Sequence, residues 1–308
     1  MRRFQNILVA VDLSQADRLV SDVLPLPTEE AIERALWLAK LNAGRLHFFS
    51  SLDVSPAVQR LIEDSDQGVD PVLGAARETL QRAVERAGSM GLAATMEVRF
   101  GKSWLEIIRE VLRNNHDLVV AGTRHLGAMS GRLIGSTGIK LLRKCPCPVW
   151  ITQPQPARDI KSILVAHDLT GVGDRAMELG CSMAQLHGAR LHVLHGLDVR
   201  ELETVLSGRV LENAAAERRT RATRHLEDCL AHYEFVQPPQ LHVVDCEPSA
   251  AVMTLVERHR IELLVMGTIA RSGIAGIFIG NTAERLLPQV PCSVLAVKPD
   301  SFTSPVQL

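Results

Sequence analysis

The sequence predicts an α/β fold repeated in tandem, each copy a parallel sheet with helices on both faces. Three observations carry that prediction. Short apolar runs alternate with helical patterns along the whole chain, the signature of βαβ units. Runs such as DLVVAG (117–122) and ELLVMG (262–267) are almost wholly apolar, as strands covered on both faces must be. The third is internal repetition. NILVAVDLS at 6–14 matches SILVAHDLT at 162–170, an offset of 156. RLHFFSSLDV (45–54) matches RLHVLHGLDV (190–199), HDLVVAGTRHLGAMSGRLIGSTGIKLL (116–142) matches IELLVMGTIARSGIAGIFIGNTAERLL (261–287), and CPVW (147–150) matches CSVL (292–295), all at an offset of 145. The first copy therefore carries about 11 extra residues between its first strand and first helix, around 15–25.

The elements follow in order. ILVAV is the first strand. TEEAIERALWLAKLN (28–42) is an amphipathic helix with Ala31, Ala35, Leu38 and Leu41 near one face and Thr28 as N-cap. RLHFFSSL is the second strand, 72–88 a longer helix and TMEVRF the third strand. SWLEIIREVLRN is a helix in which Ser103 and Glu106 have capping-box spacing. DLVVAG is the fourth strand, GSTGIKLLRK a helix and PVWIT the fifth strand. The second copy runs the same way, giving two Rossmann-like domains at 1–152 and 160–308, joined by the proline-bearing TQPQPARD.

Composition narrows the functional classes. The 308 residues are 46% hydrophobic and 22% charged, enough for buried cores. Lys and Arg number 34 against 35 Asp and Glu, and aromatics are 4%, a poor profile for general nucleic-acid binding. No run approaches the roughly 20 apolar residues of a membrane span. The apolar run after MRRFQN is cut short by Asp12, so it reads as a strand rather than a signal sequence. The six cysteines follow no disulfide framework. A reduced, cytoplasmic protein is the expectation.

In open α/β sheets, ligands bind beyond the carboxyl ends of the strands. Strand four runs into a glycine-bearing loop in both copies. Gly122-Thr-Arg-His125 precedes nine residues and then Gly135-Ser136-Thr137; Gly267-Thr-Ile-Ala270 precedes nine residues and then Gly280-Asn281-Thr282. Gly135 and Gly280 fall at helix starts, where free backbone N–H groups and the helix dipole favour an anion. Asp12 and Asp168 end the first strands and are placed to accept bonds from a base or ribose. Glycine with Ser, Thr or Asn at a helix start is also ordinary capping. No G-x-x-x-x-G-K-[ST] loop is present.

Strand one ending in Asp, the Gly-x2-Gly-x9-Gly-(Ser/Thr/Asn) spacing after strand four and CP-V at strand five resemble the universal stress protein family, twice over and along essentially the whole chain. The resemblance implies five parallel strands in the order 3-2-1-4-5, an ATP site in some members, and pairing of two domains through their fifth strands. A tandem chain then resembles a covalent pseudo-dimer, with a further homodimer compatible. Carried over residue by residue, Asp12 and Asp168 match the base- and ribose-side aspartate, and Ser51 and Gly196 a strand-two end that meets adenine through backbone. Gly122 and Gly267, the latter after Met266, match the first motif glycine. The third is kept as Gly135 with Ser136 and Thr137, and as Gly280 with Asn281 and Thr282. The second is replaced by His125 and Ala270, where a Cβ crowds phosphate and disfavours φ > 0. Ala270 is the milder change and favours the second copy as the ATP site, unless His125 itself reaches a phosphate. The insertion at 15–25 lies beside the first-copy site.

Other constellations have competing readings. Gly171-Val-Gly173-Asp-Arg-Ala176 fits the dinucleotide fingerprint G-x-G-x-x-A, with Asp198 after strand two, or it is a flexible loop start. His167, Asp168, His192, His195, His242, Asp245 and Cys246 gather near neighbouring strand ends. They read either as a zinc set or as edge and core residues, and alternation sends His192 and His195 to opposite faces. Cys145 and Cys147 flank Pro146 and read as buried strand-entry cysteines. No catalytic triad or carboxylate pair is present. Three functions remain: an adenine-nucleotide module of the stress response with at most weak hydrolysis; a scaffold or apolar-ligand binder with a pocket under helix 72–88 or the insertion; and a dinucleotide-dependent oxidoreductase.

Overall fold

The computed structural model describes residues 3–14, 18–63, 71–125, 132–155, 159–197, 205–268 and 280–308. The chain forms two compact units, one built on Met1–Gln155 together with Phe302–Leu308, the other starting at Pro156.

In the first unit, β1 (Asn6–Ala10), β2 (Arg45–Leu52), β3 (Ala94–Phe100), β4 (Leu118–Gly122) and the later β7 (Val149–Thr152) form a parallel sheet in the order β3-β2-β1-β4-β7. That is the expected 3-2-1-4-5 arrangement. The central strands are covered on both faces, which is why Ile7, Leu8, Val9, Leu118, Val119 and Val120 are all fully buried. The helices are α1 (Leu26–Asn42), α2 (Pro56–Glu63), α3 (Pro71–Ser89), α4 (Ser103–Asn114) and α5 (Ser136–Lys144). Between β4 and α5, β5 (Arg124–His125) pairs antiparallel with β6 (Arg132–Leu133), a small ribbon that the loop composition did not signal.

The second unit repeats the plan. β8 (Ser162–Ala166), β9 (Arg190–Gly196), β10 (Gln240–Val244), β11 (Leu263–Gly267) and β12 (Ser293–Val297) lie in the order β10-β9-β8-β11-β12, all pairs parallel. Its helices are α6 (Gly171–His187), α7 (Gly208–Leu230), α8 (Pro248–His259) and α9 (Asn281–Leu286). The repetition extends to helix ends. Ala43 and Gly188 both close the first helix with left-handed φ, of 51° and 60°. Asn115 and Arg260 close the third-strand helix at 50° and 49°.

Local expectations failed where neighbouring residues competed for the helix start. Thr28 is not the N-cap of α1. Prolines 25 and 27 suit a first turn that lacks N–H partners, so the helix begins at Leu26 with Pro25 as N-cap. Thr28 is buried, and its hydroxyl donates to the Asp12 carbonyl at 3.4 Å. Leu41 is exposed, whereas Ala31, Ala35 and Leu38 are buried as expected. Ser103 and Glu106 form no capping box: Lys102 is the N-cap, and Glu106 accepts from Arg109 at 2.7 Å instead. The 72–88 helix is α3, and the short α2 before it was not foreseen. The described part of the insertion folds back on itself. Ser21 N donates to Leu13 O at 2.9 Å, and Arg82 on α3 donates to Asp22 O at 3.0 Å.

Candidate functional site

The first unit gathers its sequence-predicted residues at the carboxyl ends of its strands. A cavity of about 330 Å3 is lined by Asp12 and Ser14 after β1, Ser51 and Asp53 at the end of β2, Gly122 and Thr123 at the end of β4, and Gly135, Ser136 and Thr137 at the start of α5. That volume falls at the low end of the roughly 300–1,000 Å3 of small-molecule sites. Val11, Phe49 and Ile107 give it an apolar wall, and Ser103 adds a hydroxyl. None of the described insertion residues, 18–25, lines it.

Each polar group is held by local chemistry. Asp12 Oδ1 accepts from Ser14 N at 3.0 Å and Ser14 Oγ at 2.6 Å, an Asx-turn that fixes the exposed carboxylate at the strand end. Ser51 Oγ donates to Gly101 O at 2.6 Å, so its side chain is spent locally and only its backbone is offered to a ligand. Gly135 is the N-cap of α5 in extended conformation, with no side chain to occupy the helix's first N–H groups. The hydroxyls of Ser136 and Thr137 flank those groups.

Gly122 has a reason independent of any ligand. A Cβ there meets the Pro27 carbonyl oxygen at 2.3 Å, so the bare glycine lets α1 start against β4. Gly267 plays the same part, with Val172 Cγ1 at 2.7 Å. The first motif glycine therefore serves packing in both units. His125 has its backbone in β5; its side chain lies outside the described residues.

The second unit presents the same frame differently. Asp168 Oδ1 accepts from Thr170 N and Oγ1, at 3.0 and 2.5 Å, the same turn as at Asp12. Gly196 ends β9 against the Cys246 carbonyl and Pro248, at 3.0 and 3.1 Å from an added Cβ. Met266 is buried in β11. Gly280 caps α9, which Asn281 and Thr282 begin but which has only six residues. Ala270, and the side chain of Asn281, lie outside the described residues.

The histidines separate into clusters that the sequence had merged. His192, His242 and His259 stack on one face, with His192 Nδ1 3.1 Å from His242 Nε2. His167, Asp174, His225 and Cys229 form a second group. In the first unit, His47, Glu110 and His116 form a third, which the sequence reading missed because Glu110 sits inside a helix pattern. The set expected from strand ends does not form. His195 Nδ1 turns to the His167 carbonyl at 2.8 Å, Asp245 pairs with Arg219, and Cys246 is exposed. Cys145 is buried, as read, whereas Cys147 is only partly so; Cys292, its counterpart in the repeat, is buried. Gly173, part of the dinucleotide-like motif, packs against the His167 ring and Asp168.

The fold defines a tandem α/β protein of the Rossmann-like class, with a strand-end cavity in its first unit. The family is equally plain: the sequence model of the Universal stress protein family matches residues 3–153 and 159–298, and the chain belongs to that family and its stress response. It is similar over its whole length to universal stress protein E of Photorhabdus laumondii, at 24% identity over 99% of that protein. The Escherichia coli K12 protein of the same name matches at 24%, again over all of this chain and 98% of the relative. Among solved structures, a universal stress protein from Archaeoglobus fulgidus matches with a TM-score of 0.70 at 19% identity, covering 96% of this chain and 98% of that one. A putative universal stress protein from Pseudomonas aeruginosa matches at 0.69 and 21%, covering 97% and 95%. Those two likenesses speak to the fold. Among the described residues, no helix is long and apolar enough to cross a membrane.

Proposed function

We propose that the chain is a cytoplasmic stress-response module that binds an adenine nucleotide in its first unit and acts by binding rather than by efficient hydrolysis. The observation that carries this is convergence. Asp12, Ser51, Gly122, Gly135, Ser136 and Thr137, singled out from sequence at scattered positions, line one cavity. Its chemistry suits the ligand. The α5 N-terminus and two hydroxyls face where phosphates belong. Asp12 keeps a carboxylate oxygen for a ribose hydroxyl or base amine, and Val11, Phe49 and Ile107 offer an apolar wall to a base. The second unit is the weaker candidate, because its corresponding helix has six residues against nine for α5.

Calorimetric titration of nucleotide-stripped protein with ATP and magnesium tests this, using wild type, Gly135→Val and Gly280→Val. Saturable binding weakened at least tenfold by Gly135→Val and unchanged by Gly280→Val is the expected result. Absence of binding in wild type favours a scaffold or apolar-ligand role.

A further inference from the structure

We propose that Asp174, His225 and Cys229 of the second unit form a binding site for a divalent transition-metal ion of the zinc type, with His167 as the residue that orients Asp174.

The donor triangle has the dimensions of a tetrahedral face. Cys229 Sγ lies 3.5 Å from Asp174 Oδ1 and 3.6 Å from His225 Nε2, and His225 Nε2 lies 2.9 Å from Asp174 Oδ1. Ligands at zinc–sulfur and zinc–nitrogen or –oxygen distances of about 2.3 and 2.0 Å, set tetrahedrally, stand about 3.3–3.6 Å apart. Only the nitrogen–oxygen edge must open, by a few tenths of an ångström. His225 and Cys229 are four residues apart on α7 and so share a face; Asp174 is in the first turn of α6.

His167 supplies an independent pointer. Its side chain is fully buried, and its Nδ1 accepts from Leu169 N at 2.9 Å, which assigns the ring proton to Nε2. Nε2 lies 3.1 Å from Asp174 Oδ1 yet makes no hydrogen bond of good geometry. A buried N–H thus lies beside the carboxylate without being satisfied by it. Ligating carboxylates are held by outer donors, and a small turn of the Asp174 carboxylate on metal binding would bring it onto this N–H. Gly173 makes the approach feasible, since a Cβ there meets the His167 ring at 2.9 Å. The glycine motif at 171–176 acquires a purpose unrelated to dinucleotides.

Charge separates this cluster from the other two. Asp168 acts on His167 and Asp228 on Cys229, and the strongest side-chain influences on His167, Asp174 and Cys229 come from His, Cys and Asp rather than from Lys or Arg. Glu110, by contrast, has Arg113 and Arg99 at 3.8 and 4.0 Å, and His192 and His242 feel Arg190 and Arg258. Packing points the same way. Along 23 residues, α7 buries only Ala222 and Leu226. His225 and Cys229 extend that stripe with polar donors, so an ion would supply the attachment that apolar contacts do not. Three protein ligands leave a fourth position for water or an exogenous group.

Cobalt(II), a spectroscopic stand-in for zinc, tests the site on the full chain after chelator treatment. One equivalent should bind with a thiolate-to-cobalt charge-transfer band and be displaced by zinc. Cys229→Ser should abolish the band. His225→Ala and Asp174→Asn should weaken binding about 100-fold, and His167→Gln about tenfold with the band retained. His242→Gln should change nothing. No binding, binding without the band, or a band that survives Cys229→Ser would each overturn the site. In that case the cluster is a hydrogen-bond network centred on Asp174.

Discussion

The two strand-one ends began as one sequence pattern, Val11-Asp12-Leu13-Ser14 and His167-Asp168-Leu169-Thr170, and now do different work. Both aspartates make the same turn with the hydroxyl residue two places on. In the first unit Val11 and Leu13 are buried hydrophobes, and Asp12 borders an open cavity. In the second, the residue at Val11's position is His167, which draws Leu169 N onto its ring and leaves Leu169 at φ 57°, while Leu13 has no positive φ. A different residue at one buried position, and a chain that runs straight into α6 rather than into the insertion, accompany a different turn. A leucine in the left-handed region costs roughly 1–2 kcal/mol, which the His167 contacts must offset. Divergence in a repeat is read best at such equivalent positions, where the backbone plan is constant and only the side chain differs.

The largest expected effect is on the leucines themselves. Leu13→Gly, which empties a buried site, should destabilise the first unit by about 3–5 kcal/mol. Leu169→Gly should shift the second by less than about 1 kcal/mol, because relief of strain offsets lost contacts and added chain entropy. Urea unfolding curves of each variant check this; equal losses would erase the distinction between the turns.

Next come the packing glycines. Gly122→Ala drives a Cβ onto a backbone oxygen and should cost about 3 kcal/mol. Gly267→Ala meets a valine side chain that can turn aside and should cost about 1 kcal/mol. Calorimetric unfolding of the two variants measures the difference.

How much of this was legible follows from the kind of signal involved. Repeat register comes from long-range pattern and strand order from the family resemblance, and apolar runs such as Leu118–Val120 form the buried strands they predicted. The cavity residues were legible because strand ends and helix starts are local features. Thr28 and Ser103 were misplaced because two adjacent residues competed to start a helix, and prolines or a neighbouring glutamate partner decided it. His47 with Glu110 and with His116, and His167 with His225, were invisible because those contacts span 63, 69 and 58 residues of chain that only the fold brings together.

A pH effect sharpens the contrast further. Burial, with help from His259 and His242, takes His192 down to about 4, well under its unfolded value near 6.5. The folded state resists the proton that the unfolded chain accepts. Stability is therefore fully present above pH 6.5 and falls as pH drops towards 4, by about 1–3 kcal/mol for this group. The second unit should carry that loss. His192→Gln should lessen the fall of unfolding midpoints between pH 7 and 4.5, the remainder belonging to His167, which burial also takes down to about 4; an unchanged slope would place the acid sensitivity elsewhere.

The smallest effect concerns Asp12. Asp12→Asn keeps the turn's carbonyl acceptor but removes the charge, and should weaken ATP binding about tenfold, or about 1.4 kcal/mol. Asp168→Asn should leave the affinity unchanged. Equal weakening by both would make the units equivalent sites.

The most direct measurement is photolabelling of the full chain with 8-azido-ATP, followed by peptide mapping. The account predicts label on first-unit peptides around Ala10–Ser14, Phe49–Asp53 or Gly135–Gly138, suppressed by excess ATP. Label confined to the second unit, or none that ATP suppresses, would contradict it.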